Sequence, residues 1–190
     1  MRAGAASCSC LTEAVWGVAR VGVAIGTAGM DLSALRILVV DDNRNSIEIV
    51  RSILGSVGAQ QITPTTKAHD AFRMLASEVY DVLILDQNLG RGGEGIELVR
   101  RIRTDPASPN PFLPILMLTG YSDEKRVTAA RDAGVSEFLV KPFTVAGLLK
   151  RIEALVMHPR PFVRTEGYFG PDRRRRADPR YTGPERRKPG

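Results

Sequence analysis

Four short apolar runs in this 190-residue chain each stop on a residue able to do polar chemistry. Residues 37–40 run into Asp41 and Asp42, and residues 82–85 run into Asp86, with Gln87, Asn88 and a glycine-rich stretch behind it. Residues 115–118 stop at Thr119 and residues 138–140 at Lys141. Taken singly, each of these is most simply a solvated loop residue. Brought to one place, they would form an acidic, phosphate-handling site. Three carboxylates side by side repel and raise one another's pKa unless a cation joins them. A small oxygen-only ligand set favours Mg²⁺, which takes few protein ligands and keeps waters that a phosphate can replace. Three carboxylates, Lys141 and one Mg²⁺ sum to zero charge. Thr119 offers a hydroxyl donor and Lys141 a cation to phosphoryl oxygens, and Asp86 is a candidate carboxylate nucleophile.

What must position these residues is legible from the pattern between them. Branched apolar runs such as 82–85 fit strands buried on both faces of a sheet. Ile47, Val50, Ile53, Leu54 and Val57 recur at helical spacing, as do Ala68, Ala71, Phe72, Leu75 and Ala76. Ile96, Leu98, Val99 and Ile102 predict a third helix, whose Arg100, Arg101 and Arg103 read as a solvated face. Residues 60–63 are a weak strand candidate before Pro64, and residues 106–114, with four prolines, must be a connector. Further helices are expected at about 122–132 and 144–157. Five strands alternating with five helices over residues 34–157 predict an α/β domain, with a parallel sheet covered by helices on both faces. In such sheets, ligands bind outside the carboxyl ends of the strands, which is where the polar residues fall.

The rest of the composition bounds the function. The net charge is +6, and residues 158–190, with ten Lys/Arg against four Asp/Glu, carry all of it. The basic character therefore belongs to a tail and not to the domain. Cys8 and Cys10 are the only cysteines, too few for a four-ligand zinc site or a disulfide framework, which suits a reducing cytoplasm. Residues 1–33 read as a disordered leader, with Met30 as an alternative start; residues 11–30 are too polar and glycine-rich for a membrane span.

The segments Ile37-Leu-Val-Val-Asp-Asp-Asn43, Val82-Leu-Ile-Leu-Asp86, Leu116-Met-Leu-Thr-Gly120 and Phe138-Leu-Val-Lys-Pro-Phe143 resemble, in that order, the receiver domain of bacterial two-component response regulators. The resemblance covers residues 34–157. It implies a flavodoxin-like (CheY-like) five-stranded parallel sheet in the order 2-1-3-4-5, with five helices. It implies that Asp86 is the phosphoacceptor, forming 4-aspartylphosphate with a phosphoryl group from a histidine kinase or histidine phosphotransfer protein in a Mg²⁺-dependent phosphorelay. Asp42, Asp86 and the backbone carbonyl of Asn88 would hold Mg²⁺ directly, and Asp41 would help through water. Lys141 and Thr119 would contact the phosphoryl oxygens. Thr119 and Phe138 would form the switch, with an unknown downstream protein reading the face made by helix four, strand five and helix five. Such a chain is no enzyme in the usual sense, but a cytoplasmic phosphoacceptor that promotes its own phosphotransfer and dephosphorylation. Two departures from the family pattern stand out: Gly90 falls where proline is usual, and the pair Glu94-Gly95 arrives one residue late.

In the tail, Tyr168-Phe-Gly-Pro-Asp-Arg-Arg174 recurs as Tyr181-Thr-Gly-Pro-Glu-Arg-Arg187. Proline, glycine and arginine dominate residues 158–190, so a mostly disordered tail is expected. Tyr168, Arg173, Arg174, Tyr181, Arg186 and Arg187 make a candidate binding motif for an acidic protein or nucleic acid, against the simpler reading of a solubilising tail. No DNA-binding fold fits in 33 residues without helical periodicity. Competing readings are a receiver whose tail binds nucleic acid, a phosphate sink in a relay, a pseudo-receiver and an aspartyl phosphatase. The phosphatase reading lacks its second acid, since Asn88 stands where Asp is needed. The pseudo-receiver is disfavoured because every acid, Thr119 and Lys141 are present.

Overall fold

A computed structural model of the chain describes residues 25–26, 29–30, 32–90, 93–120 and 124–173. Five parallel strands form the sheet: β1 (Arg36–Val40), β2 (Gln61–Thr65), β3 (Val82–Asp86), β4 (Ile115–Thr119) and β5 (Glu137–Val140). Their order is β2-β1-β3-β4-β5, as the sequence predicts. Five helices connect and follow them: α1 (Arg44–Ser56), α2 (Ala68–Ser77), α3 (Glu94–Thr104), α4 (Glu124–Asp132) and α5 (Val145–Met157). Two two-residue pieces, Ile25–Gly26 and Gly29–Met30, pair antiparallel ahead of the sheet.

Alternation along each strand sorts the core into two layers. Leu38, Leu83, Leu85 and Met117 point to the side covered by Phe72 of α2, Val99 of α3 and Ala130 of α4. Ile37, Val39, Ile84 and Leu116 point to the opposite side, against Val50 and Leu54 of α1 and Leu148 and Ile152 of α5. β3 lies at the centre and is buried along its whole length, which is why its sequence shows no polar alternation. β2 runs through Pro64 instead of ending before it, because an edge strand tolerates the missing N–H.

Three expectations need correction. The domain begins before residue 34: Leu32 is buried among the residues under α1 and α5, so the leader is part of the core at its last turn. Arg103 is not on a solvated face but is 3% exposed. It donates to the carbonyls of Gly134 (3.0 Å), Pro111 (2.7 Å) and Leu113 (2.8 Å). Burial lowers its pKa well below the ordinary guanidinium range, to about 9, with the electrostatic influence of Tyr168 pulling the other way. The tail, finally, is not disordered from residue 158. A hairpin of β6 (Phe162–Thr165) and β7 (Tyr168–Pro171) packs beside α3. Phe162, Phe169 and the connector's Phe112 form a trio with ring centroids 5.2–5.6 Å apart. Sequence reasoning set the tail's low apolar content against ordering entropy and missed that its two phenylalanines find a third. Arg174, Tyr181, Arg186 and Arg187 lie outside the described residues.

Candidate functional site at the carboxyl ends of the strands

The chain reverses direction across the sheet between β1 and β3, whose carboxyl ends therefore flank a crevice. Asp41 follows β1 directly, and Asp86 is the last residue of β3. Both are buried, at 2% and 6% exposure, while Asp42 is exposed. One ligand oxygen from each of Asp41, Asp42 and Asp86 can be chosen so that all three lie within 4.8 Å of one another. The three acids predicted to meet do meet.

Each carboxylate is oriented by the chain that follows it. Asp41 Oδ1 accepts from the amide of Asn43 at 2.9 Å, and Asn43 in turn caps α1 by accepting from Asn45 N. Asp86 Oδ2 accepts from the amide of Asn88 at 2.7 Å. Asp42 Oδ2 accepts from the amide of Gly90 at 3.1 Å. Gly90 sits at φ +58°, so this departure from the family pattern has a physical reading. A proline there could neither adopt that angle nor donate the hydrogen bond. Gln87 is buried beside Asp86, and its Nε2 has no hydrogen-bond partner among the described residues.

Lys141 supplies the counter-charge. It follows β5 and is joined to Pro142 by a cis peptide bond. Its Nζ lies 2.7 Å from Asp41 Oδ2 and 2.7 Å from Asp86 Oδ1, bridging the two buried acids. Burial, the largest single influence, pulls the ammonium's pKa down. The hydrogen bonds and charges of Asp41 and Asp86 together outweigh it, so Lys141 is held above its ordinary value and stays protonated. Thr119, 2% exposed, ends β4, and its carbonyl accepts from Lys141 N at 2.6 Å. The register pairs Asp86 with Leu118 and Thr119 with Val140, which sets Thr119 one step beyond Asp86 on the same edge. Phe138 is half-buried on β5 and packs against the layer of α2, α3 and α4.

The donor set suits a small hard cation. Three carboxylates against one ammonium leave two negative charges, which a divalent ion would neutralise, and all the candidate ligands are oxygens. Lys141 already spans two of the acids, so an arriving cation must share them with it. One contributor showed in the sequence only as half of the displaced Glu94-Gly95 pair. Gly95, in the first turn of α3, packs against the end of β3 so closely that a Cβ there would lie 2.4 Å from the Asp86 carbonyl oxygen. Glycine at that position lets the helix seat against the strand that carries Asp86.

A doubly wound sheet with a cluster of three carboxylates, a buried threonine and a bridging lysine at its switch point is the arrangement of a receiver-type module. Residues 37–153 match the response regulator receiver domain family, and the chain belongs to it. It is 36% identical over 124 residues to the chemotaxis protein CheY of Pseudomonas aeruginosa, covering 64% of this chain and 95% of that protein. It is 31% identical over 121 residues to the chemotaxis protein CheY-3 of Vibrio cholerae, covering 64% and 91%. Among solved structures, it is similar to the chemotaxis protein CheY4 of Vibrio cholerae, with a TM-score of 0.56 and 28% identity over 63% of this chain and 96% of that one. Among the described residues, no helix is long and apolar enough to cross a membrane.

Proposed function

We propose that the chain is a single-domain response regulator of a bacterial phosphorelay. It accepts a phosphoryl group on Asp86 from the phosphohistidine of a histidine kinase or phosphotransfer protein and signals by protein–protein contact. The observation that carries this reading is the Lys141 ammonium held between Asp41 and Asp86, next to Thr119, at the switch point of the sheet. Asp41, Asp42, Asp86 and the carbonyl of Asn88 would hold Mg²⁺, which supplies positive charge to the incoming phosphoryl oxygens.

The residues of the chain do the rest. A carboxylate oxygen of Asp86 attacks phosphorus; the bond to the donor's imidazole nitrogen breaks as the new P–O bond forms, and the imidazole leaves to be protonated by solvent. Lys141 passes from the carboxylates to the phosphoryl oxygens, and the Thr119 hydroxyl donates to another. Hydrolysis reverses the state: water attacks phosphorus, inorganic phosphate leaves and the Asp86 carboxylate is restored. The chain thus promotes reactions of its own side chain and turns over no separate substrate. A kinase donor of this kind places it in the cytoplasm.

The downstream contact is expected on α4, β5 and α5. Val140 and Val145 are 48% and 47% exposed, an apolar pair flanking Lys141 in sequence, where a change at the phosphate is felt first. Incubation with acetyl phosphate and Mg²⁺ tests the reading. A single base-labile phosphoryl adduct on Asp86 is expected, and its absence in the wild-type chain would refute the assignment.

A further inference from the structure

The hairpin that follows the domain grips it where β4 and β5 begin, at the end opposite the acidic site. Gly170 meets the α4–β5 turn so tightly that a Cβ there would lie 2.8 Å from Gly134 Cα, and one at Gly134 would lie 2.9 Å from the Phe169 oxygen. Arg173 reaches Asp132 at the end of α4 at 3.1 Å and stacks 4.0 Å over the Tyr168 ring, while Tyr168 OH donates to the Pro171 carbonyl at 2.8 Å. Arg160 donates to the Ser136 carbonyl and lies 3.7 Å from Glu137, the first residue of β5. Ser136 Oγ accepts from the amide of Ile115, the first residue of β4. The tyrosine, glycine, proline and first arginine of the unit at residues 168–174 thus all have a task in this contact.

The unit at residues 181–187 keeps the tyrosine, glycine, proline and both arginines, but Thr182 stands where Phe169 completes the aromatic trio. Aromatic pairs of this kind add measurably to burial, so Phe169 strengthens the contact that the first unit makes with the domain.

β4 and β5 are five and four residues long. Their carboxyl ends deliver Thr119 and Lys141 to the phosphate site, and their amino ends are held by the hairpin through Ser136, Glu137 and Phe112. We propose that the hairpin is a clasp coupled to the phosphoryl state of Asp86, closed on the unmodified domain and opened by phosphorylation. The inference rests on the phosphoacceptor reading above. New oxygens on Asp86 draw Lys141 and Thr119 toward them, and both strands are paired along their length and cannot stretch. In a close-packed interior, the shift is passed to the far ends and not absorbed. Contacts as tight as Gly134 against Gly170 do not tolerate it.

The test uses the full chain with Mg²⁺ and beryllofluoride as a stable phosphoryl mimic. Amide exchange should quicken about fivefold or more on loading, at Asp172, whose amide donates to the Pro161 carbonyl, and along β6 and β7. By reciprocity, Arg173→Glu and Phe169→Ala should bind beryllofluoride more tightly by a matching factor. Arg173 is a surface residue, so its variant keeps the fold even where Phe169→Ala does not. If beryllofluoride binds all three chains equally and leaves hairpin exchange unchanged, the clasp is overturned and the phosphoacceptor reading stands. If it binds none of them, both fall together.

Discussion

Substituting Gly95 with alanine tests how the site is held in place. The added Cβ would lie 2.4 Å from the Asp86 oxygen, 3.0 Å from the Gln87 oxygen and 3.2 Å from the Gln87 carbonyl carbon, all backbone atoms. An ordinary non-bonded contact needs about 3.5 Å, so α3 or the end of β3 must give by about 1 Å. Alanine is the better helix former by ~1 kcal/mol, and overpacking costs ~1–3 kcal/mol, so the net loss of stability is small, up to ~2 kcal/mol. The effect on chemistry is larger, because a displacement of about 1 Å at reacting groups can cost about 100-fold in rate. Phosphorylation by acetyl phosphate at fixed Mg²⁺, followed alongside thermal melting, should therefore show a rate loss far exceeding the stability loss. Gly55→Ala is the control: nothing lies within 4 Å of its Cβ, and it should gain up to ~1 kcal/mol with no change in rate. If Gly95→Ala is phosphorylated at the wild-type rate, the close seating of α3 has no part in positioning Asp86.

Three further outcomes follow from the same geometry. Arg103→Lys should destabilise the chain by ~1–3 kcal/mol or more in urea denaturation. An ammonium gathers its donors at one atom and cannot span the carbonyls of Gly134, Pro111 and Leu113 as the guanidinium fork does, leaving at least one buried carbonyl unpaired at ~1–3 kcal/mol. Arg100→Lys, on the exposed side of α3, should change stability by no more than ~0.5 kcal/mol. Lys141→Met removes the cation that competes for Asp41 and Asp86, so Mg²⁺ should bind at least as tightly by calorimetry and raise the melting temperature more than in wild type, while phosphotransfer falls. The pKa of Lys141 is raised above its ordinary 10.5, so the stability from its pairing is complete below that value and lost only as pH rises through the higher folded one. The difference in melting temperature between wild type and Lys141→Met should thus stay flat across about pH 6–9.

The acidic site was legible in the sequence because its residues sit where apolar runs stop, and a parallel sheet must bring those stops to one edge. Asp41, Asp42, Asp86, Thr119 and Lys141 needed only the strand pattern and the handedness of the crossovers. The finer geometry was not legible. That Lys141 bridges Asp41 and Asp86 while the amide of Gly90 takes Asp42 depends on loop conformations that no periodicity encodes. Arg103 shows the limit of charge patterning. Its neighbours Arg100 and Arg101 are exposed as expected, yet one helical position further round the same run is buried against carbonyls contributed by residues 111, 113 and 134. The hairpin was missed for a related reason. Residues 162–171 carry too few apolar groups to fold alone and are ordered by Phe112, Gly134 and Asp132 of the domain.

The central claim is that Asp86 is the nucleophile. Asp86→Asn preserves shape and hydrogen bonding while removing the nucleophilic carboxylate, so it should melt near the wild type and form no adduct. Mass spectrometry of the intact chain after treatment with acetyl phosphate and Mg²⁺ measures this directly. Gain of one phosphoryl mass in wild type, lost on base treatment and absent in Asp86→Asn, is the predicted result. A base-labile phosphoryl adduct forming on Asp86→Asn at the wild-type rate would contradict it.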